Sequence, residues 1–441
     1  MKTYFFCARD VRDYLQVFPQ AKTLKFPPDE FNPTAFMSIE RIQNFLRDEI
    51  VGCHPNYIDA LNAPIVGETG IDGLRLDFNF GLRLDVPRGN FRVKIGEVGG
   101  QTFLDAKFSD VRLVSVEKFF IRWTVEVFSG DEKIFAHEFD LDGQDVLIDS
   151  QSKALGDNLS MLPAVDELRR RHGCKVSLRV PEYLREFAAH VYPEINFVDT
   201  ADGDYYATFS PNFIRSDVPI NPIDGRDGNI GKIFGVTFGI ENFTRKPTFK
   251  PTAPPVTTEP YVCIGVQASI PEKSWLWPHG WDVVVEWLKS LGYKVFCIDR
   301  DKVQRDDKFS VTAPEGAEDF TGDFSIMHRA NMLYHAEFFV GLSSGLSWLA
   351  DAVNCLVVMI CGFSKDWFEF DTPWRVTNRL VCTGCLSDIR VGTFLKGVCA
   401  RHDGTPREFE CQKKISPRQV IDTIERLIVE RNLIPPVMRT N

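Results

Sequence analysis

A single carboxylate, Asp157, stands where the pattern of the chain changes from strand to helix. It follows a glycine in the stretch Ala-Leu-Gly-Asp-Asn-Leu-Ser-Met-Leu-Pro at residues 154–163. Glycine permits a close turn of the backbone, and the beginning of a helix favours a nearby negative charge. Two interpretations of Asp157 fit this pattern equally: an ordinary helix cap, or a general base that takes a proton from an attacking hydroxyl group.

A lysine lies in a loop that could bind a negatively charged leaving group. The loop follows a predicted strand at residues 261–266 and contains Gln267 and Lys273. A lysine at this place can neutralise a diphosphate without the help of a metal ion. Spacing alone favours the plainer interpretation, in which Lys273 is solvated and Trp275 belongs to the core.

A loop of small residues at 341–350 also separates a predicted strand from a predicted helix. Its central residues are Ser343, Ser344 and Gly345. Backbone amides and hydroxyl groups at the start of a helix can bind an anion such as the pyrophosphate of a nucleotide sugar. The alternative is that Ser343 and Ser344 are ordinary helix caps.

Four cysteines, Cys382, Cys385, Cys399 and Cys411, cluster near the C-terminus. A Cys-x-x-Cys pair followed by two more cysteines has the ligand count and spacing of a tetrahedral thiolate site for iron or zinc. Two disulfides or four unused thiols are the alternatives, and His402 could replace one ligand. A site closed by four protein ligands holds a fold together and does not perform chemistry.

The composition is that of a globular protein. The 441 residues are 44% hydrophobic and 25% charged, with a formal net charge of −10. This length exceeds what one core usually serves, so we expect two or three domains. No apolar run approaches the roughly 20 residues of a membrane span, and Arg9 and Asp10 interrupt any signal peptide. We therefore expect a cytoplasmic protein, and the negative charge argues against a nucleic-acid partner.

The elements that must position these residues fall into a β-rich part and two α/β parts. Apolar and polar residues alternate from residue 74 to 148, which predicts antiparallel β-structure, and a helix is predicted before it at 38–51. Helix and strand patterns then alternate over 158–198 and again over 261–360, on either side of a proline-rich linker at 247–255. Such βαβ units predict two parallel sheets with a ligand cleft between them.

The predicted domains are therefore a mostly-β N-terminal domain at 1–150, a first Rossmann-like domain at 151–250, a second at 256–380, and a metal finger with a C-terminal helix at 381–441.

The motif Gly-Asp-Asn-Leu-x-x-x-Pro at Asp157 resembles the heptosyltransferases of glycosyltransferase family 9. Where that family tends to have Asp-Ser-Gly-x-x-His, this chain has Ser343 in place of the acid and Trp348 in place of the histidine. The segment 362–376, together with the four cysteines, is similar to the bacterial autotransporter heptosyltransferases, which carry a cysteine-bound iron finger.

This resemblance implies a GT-B architecture and an inverting, metal-independent transfer of heptose from ADP-heptose to serine or threonine of an autotransporter adhesin. Asp157 would be the catalytic base. The donor would be held by Gln267, Lys273, Ser343, Ser344 and Gly345, and Trp275, Trp277 and Trp348 could line its sugar or adenine pocket. The resemblance also implies a structural iron, with zinc as the alternative, and a homo-oligomer of twelve chains. A lipopolysaccharide-type acceptor and a non-catalytic scaffold are the other functions that we consider.

Overall fold

The computed structural model describes residues 1–8, 63–211, 222–223, 225–226, 228–243, 246, 248–305, 309–388, 390–391 and 397–439. The helix predicted at 38–51 lies outside these residues, as does Pro247, the first residue of the predicted linker.

An eight-stranded sheet crosses the N-terminal half of the molecule. Strands β9 to β12 form one end of this sheet and run parallel to one another. Val146 of β9 pairs with Val176 of β10 on one side and with Ala207 of β12 on the other. On the other side of β12, the sheet continues into strands that precede residue 150 in the chain. In spatial order the strands are β1 (Lys2–Phe6), β6 (Val111–Ser115), β3 (Arg83–Val86), β2 (Arg75–Asn79), β12 (Ala207–Phe209), β9 (Asp145–Asp149), β10 (Lys175–Arg179) and β11 (Asn196–Phe197).

A separate four-stranded antiparallel sheet completes the β-rich part. Its strands in spatial order are β5 (Thr102–Phe108), β4 (Phe91–Glu97), β7 (Trp123–Ser129) and β8 (Glu132–Glu138). In β7 the alternate residues Trp123, Val125 and Val127 are buried, as the period-2 pattern predicts. The predicted β-rich N-terminal part is confirmed.

Strands on both sides of residue 150 share the eight-stranded sheet. β2 pairs in parallel with β12, and β9 pairs with β10. The β-rich part and the first Rossmann-like part therefore form one continuous body, and the domain boundary that we predict at residue 150 falls inside it.

The second α/β part is built on a six-stranded parallel sheet. Every residue of its three central strands β13, β18 and β19 is buried, which is typical of a parallel sheet covered by helices on both faces. In spatial order its strands are β17 (Glu318–Asp319), β14 (Lys294–Cys297), β13 (Tyr261–Gly265), β18 (Phe339–Leu342), β19 (Val357–Ile360) and β20 (Arg375–Val376); a small hairpin, β15 (Val303–Arg305) and β16 (Ser310–Thr312), lies outside it.

Helices lie beside these sheets at most of the places that the sequence predicts, and helices that it did not predict lie at 230–237 and 410–413. In chain order the helices are α1 (Leu155–His172), α2 (Glu182–Val191), α3 (Ile230–Thr237), α4 (Gly280–Ser290), α5 (Ile326–His335), α6 (Gly345–Ala352), α7 (Glu410–Lys413), α8 (Pro417–Glu430) and α9 (Pro436–Arg439). No described helix has the length and apolar character that crossing a membrane requires.

The proline-rich linker is docked on the protein surface. Phe249 is buried and stacks on Phe187 of α2, with a centroid distance of 5.8 Å, and it also contacts Tyr334 of α5. The amide of Asn331 in α5 accepts hydrogen bonds from the backbone N–H groups of residues 252 and 253. The linker therefore ties helices of both α/β parts together.

Candidate functional site

The N-terminal ends of α1 and α6 contact each other, and this contact joins the two α/β parts. A Cβ atom added to Gly156 in α1 would come within 2.9 Å of the Trp348 indole, and one added to Gly345 in α6 would come within 2.8 Å of Leu155. Each helix therefore uses a glycine where the other helix approaches. Because a helix N-terminus carries partial positive charge, both α1 and α6 direct such charge toward the same region.

Asp157 lies in the first turn of α1, one residue beyond this contact. Ala154 occupies the N-cap position, and the Asp157 side chain is not a cap, so the capping interpretation is wrong. Its Oδ2 accepts a hydrogen bond of 2.5 Å from the Ser152 hydroxyl. Burial raises the pKa of Asp157 above its usual value, and the Ser152 bond and the charge of Lys273 oppose this shift. A desolvated carboxylate of this kind is a stronger proton acceptor than an exposed one.

The loop before Asp157 is held by its own neighbours. The Asn158 side chain, fully buried, donates to the carbonyl groups of Ser152 and Ala154 at 3.0 and 2.8 Å. Its oxygen accepts a bond of 2.7 Å from the Ser150 hydroxyl. Asn158 therefore folds the loop back against the helix start and fixes Ser152 beside the carboxylate.

Lys273 ends a short 3-10 helix, Pro271–Lys273, in the loop after β13. Its side chain is half-buried, and its positive charge lowers the pKa of Asp157. The structure therefore brings near each other two residues that the sequence analysis predicts to be chemically active and that lie in different halves of the chain.

Asp299 at the end of β14 shapes the same loop. Its carboxylate accepts bonds from the backbone N–H groups of Val266 at 2.7 Å and Gln267 at 3.3 Å. Burial raises the pKa of Asp299 to about 6, against the opposing effect of these two bonds. The Gln267 side chain points away from the loop and donates to the Asp301 carbonyl.

The sequence analysis missed Asp299, although the triplet Asp299-Arg300-Asp301 was a signal that could have found it. An Asp-x-Asp spacing can hold a divalent metal ion in glycosyltransferases. Here the Asp299 carboxylate is buried and engaged by two backbone amides. Its contacts are those of a residue that supports the backbone of the donor-side loop.

Ser344 and Gly345 begin α6. Ser344 is the N-cap residue, but its hydroxyl makes no capping bond. Among the described residues, its Oγ is a buried atom without a hydrogen-bond partner. A helix N-terminus with an unused hydroxyl group has the character of an anion site.

Ser343 has a different environment. It is buried, and its hydroxyl donates to Oε1 of Glu369, which also accepts a bond of 2.6 Å from Ser364. The other oxygen of Glu369 accepts a bond of 2.7 Å from Arg375. Because Glu369 engages the only hydroxyl proton of Ser343, this side chain anchors the α6 loop. Glu369 and Arg375 are functional candidates that the sequence analysis did not identify.

The three tryptophans that we considered as pocket residues differ in position. Trp275 is buried in the second core and donates its indole N–H to the Ile415 carbonyl, whereas Trp277 is exposed. Trp348 is half-buried, covers Gly156 and contacts Phe370 edge-on at 5.0 Å. Of these three tryptophans, Trp348 is therefore the one whose contacts place it at Gly156, the residue before Asp157.

The four cysteines of the predicted finger are all free thiols, so the disulfide alternative is wrong. Burial raises the pKa of Cys411, and the neighbouring sulfurs of Cys385, Cys399 and Cys382 raise it further. Two donors point at these sulfurs: the Phe409 backbone N–H contacts Cys399 Sγ at 3.5 Å, and Arg401 contacts Cys382 Sγ at 3.5 Å. The sulfurs therefore lie near enough to affect one another's pKa, and thiols with N–H donors around them have the chemistry of ligands for iron or zinc.

His402 and Glu410 also place ligand atoms within 4.8 Å of the Cys382 sulfur and of each other. The Glu410 carboxylate already accepts the Cys382 backbone N–H at 2.9 Å and pairs with Arg407. These contacts make Glu410 a support for the cysteine loop. Among the described residues, the structure groups Cys382 with His402 and Glu410 at ligand distance and does not group the four sulfurs in this way.

Two family models match separate parts of the chain. The model for the N-terminal domain of the glycosyltransferase TibC matches residues 70–131, and the model for glycosyltransferase family 9 (heptosyltransferase) matches residues 235–388. The first match covers the β-rich part, and the second covers the sheet that carries Lys273 and Ser344.

Several relatives are similar over most of their length. The autotransporter heptosyltransferase BAHTCr of Citrobacter rodentium is 35% identical over 81% of this chain and 90% of that protein. Aah of Escherichia coli, also an autotransporter heptosyltransferase, is 36% identical over 81% of this chain and 93% of that protein. BimC of Burkholderia thailandensis, an inactive autotransporter heptosyltransferase, is 31% identical over 81% of this chain and 87% of that protein.

The fold matches a solved relative, the iron-containing dodecameric glycosyltransferase TibC from enterotoxigenic E. coli H10407. The two structures agree with a TM-score of 0.80 at 33% identity, over 84% of this chain and 100% of that chain. A second structure of TibC contains ADP-D-beta-D-heptose and matches this chain with the same TM-score, over 84% of this chain and 98% of that one. The predicted α/β architecture of GT-B type is confirmed.

Proposed function

The chain belongs to the autotransporter heptosyltransferase family, and on this premise we propose that it transfers heptose from ADP-heptose to serine and threonine hydroxyl groups of an autotransporter adhesin, with inversion at the anomeric carbon. The observation that carries the proposal is the position of Asp157 in the first turn of α1, where the start of α6 contacts α1 and where the charge of Lys273 lowers the pKa of the carboxylate.

Asp157 acts as the general base in this mechanism. Its carboxylate accepts the proton of the acceptor hydroxyl while the oxygen attacks the anomeric carbon from the face opposite the diphosphate. The Ser152 hydroxyl holds the carboxylate at 2.5 Å and fixes its direction. One attack from the face opposite the leaving group gives inversion.

The donor side stabilises the leaving ADP. As the bond to the sugar breaks, negative charge grows on the diphosphate, and preorganised cations and N–H donors are the groups that stabilise it. Lys273, the unused hydroxyl of Ser344 and the N–H of Gly345 supply this stabilisation. Glu369 keeps the α6 loop in place through Ser343. No step of this mechanism requires a divalent cation.

The four cysteines would hold the iron that is present in the TibC relative, or zinc in its place. When bound, such an ion supplies a structural cross-link between the loops that carry Cys382 and Cys385, Cys399, and Cys411. We also propose that this chain forms a homo-oligomer of twelve copies, as TibC does. Light scattering on the purified protein tests this, and a monomeric mass would contradict it.

The central experiment is coexpression with an adhesin passenger fragment in cells that make ADP-heptose, followed by intact-mass measurement of the fragment. We expect mass increments of one heptose per modified site, and none with Asp157→Ala. Because BimC is an inactive relative, this experiment also decides between an enzyme and a non-catalytic scaffold. An unmodified fragment beside a folded, metal-loaded protein would contradict the proposal and direct the search to an oligosaccharide acceptor.

A further inference from the structure

The short helix that ends in Lys273 is bonded on its far side to the cysteine finger. Glu272, the residue before Lys273, is buried, and its Oε1 accepts a bond of 2.7 Å from the backbone N–H of Gly397. The carbonyl group of Glu272 accepts a bond of 2.5 Å from the side-chain amide of Gln412. Gln412 is completely buried and directly follows Cys411.

Two more bonds extend this junction along the donor-side loop. The backbone N–H of Leu276 donates to the Gln412 carbonyl at 3.2 Å. The indole N–H of Trp275 donates to the Ile415 carbonyl at 2.8 Å. Side chain and backbone of Gln412 therefore both engage the loop, one on each side of the segment that contains Lys273 and Trp275.

We propose that Glu272 and Gln412 are positioning residues that transmit the folded state of the finger to Lys273, and thereby set the affinity of the enzyme for the nucleotide diphosphate. The inference depends on the proposed role of Lys273 at the donor phosphates. In this proposal the finger has a role within a single chain: it holds the ammonium group of Lys273 where that group can bind the diphosphate.

The burial of these bonds explains why they can act on Lys273. A lysine on a flexible loop must lose its freedom of motion when it binds a phosphate, and a preorganised loop has already lost it. Each buried bond contributes to holding the turn in one position. Removal of one of them allows the 3-10 turn to move while the surrounding core, including Trp275, keeps the fold.

The test measures binding of ADP to the holoprotein by calorimetry. We expect Gln412→Ala to weaken ADP binding about tenfold, which corresponds to roughly 1.4 kcal/mol. Iron content by mass spectrometry and the mass in solution by light scattering should both equal those of the unchanged protein. Glu425→Ala, which removes an exposed carboxylate of α8 that pairs only with Arg418 among the described residues, is the matched control and should leave ADP binding unchanged.

Glu272 offers a second, conservative comparison. Glu272→Gln retains an oxygen that can accept the Gly397 N–H, so it should bind ADP within about twofold of the unchanged protein. Glu272→Ala removes that oxygen and should resemble Gln412→Ala. Equal binding by all three variants and the unchanged protein would overturn the proposal.

A double-mutant cycle separates this inference from the donor-site assignment on which it depends. If Gln412 acts through Lys273, Gln412→Ala should change ADP affinity less than twofold in a Lys273→Ala background. Full tenfold additivity would overturn the positioning role. If Lys273→Ala alone binds ADP normally, the donor-site assignment itself fails, whatever Gln412 does.

Discussion

The loop of Asp157, on the proposed acceptor side, and the loops of Lys273 and Ser344, on the proposed donor side, are held in different ways. Asp157 takes its position from residues close to it in the chain: Ser152 is five residues away, and Asn158 is adjacent. Lys273 lies on a turn that is bonded to Gln412, 140 residues from Glu272, and the α6 loop is anchored by Glu369, 26 residues beyond Ser343. One side of the site is thus specified locally, whereas the other depends on the folding of the whole C-terminal part.

The largest expected effect tests the local side. Asp157→Asn should reduce kcat by about 10² to 10⁴, because general-base catalysis typically contributes about that much. Its thermal midpoint should not fall. Since the folded-state pKa of Asp157 is raised, the folded protein binds the proton more tightly than the unfolded chain, and stability falls as pH rises through the interval between the two pKa values.

At neutral pH, removing the Asp157 carboxylate therefore removes the free-energy cost of burying its charge. The measurements are steady-state transfer to a passenger peptide and calorimetric unfolding at pH 7. An Asp157→Asn protein with more than a tenth of the normal kcat would contradict the base assignment.

The next effect concerns stability on the donor side. Glu369 and Arg375 form a pair at 2.7 Å with side-chain exposures of 1% and 8%. Glu369→Gln leaves the guanidinium group buried without its counter-charge and should lower the free energy of unfolding by about 3 kcal/mol. Denaturant titration measures this. Arg379→Ala breaks the exposed pair with Asp366 and, as the control, should cost less than about 1 kcal/mol.

Lys273→Ala should reduce kcat/KM for ADP-heptose by about 10², which is the loss expected when one charged donor to a developing oxyanion is removed. The reduction should shrink at high salt, because salt screens a half-exposed charge. Lys133→Ala, which removes an exposed lysine on β8, serves as the control for charge alone. Comparable kinetics for the two variants would show that the donor diphosphate lies elsewhere.

The smallest expected effect again concerns Asp157, through the hydrogen bond from its near neighbour Ser152. The Ser152 bond lowers the pKa of Asp157, so Ser152→Ala should raise that pKa further and move the acid limb of the kcat/KM profile to higher pH. At neutral pH the loss should stay within about threefold, since one hydrogen bond contributes about 1 kcal/mol or less. The readout is the pH profile from 4 to 8, with Ser177→Ala as a control. If the acid limb lies at the same pH in the Ser152→Ala and Ser177→Ala proteins, Ser152 does not set the pKa of Asp157.

The same division explains what the sequence could predict. Period and turn signals predict helices at 182–191 and 280–291, and α2 and α4 begin and end within one residue of these bounds, because both helices bury one face in a regular pattern. Asp157 and its loop were predictable, since the residues that define them are neighbours. Glu369 and Gln412 were not, because each acquires its role from partners that only the tertiary fold brings near. For Asp299 the Asp-x-Asp triplet was a signal, but its bonds to the Val266 and Gln267 amides were not predictable.

The finger has one feature that the sequence could predict and one that depends on the tertiary fold. The spacing of its four cysteines predicted a metal site, since ligand spacing is a local signal. Nothing in the sequence showed that Gln412, the residue after the last cysteine, would point away from the sulfurs and toward the turn before Lys273. Nor did alternation in residues 74–148 show that β2 would join the Rossmann strands, because strand partners are not encoded in the period of a single strand.

The reciprocal contact between α1 and α6 limits how this protein can diverge. Gly156 has room only for hydrogen because Trp348 covers it, and Gly345 has room only for hydrogen because Leu155 does. A change to a larger residue at either glycine must be preceded by a smaller side chain in the opposite half. We therefore expect that exchanging one half of the gene with that of a distant relative breaks this match unless both partner side chains fit.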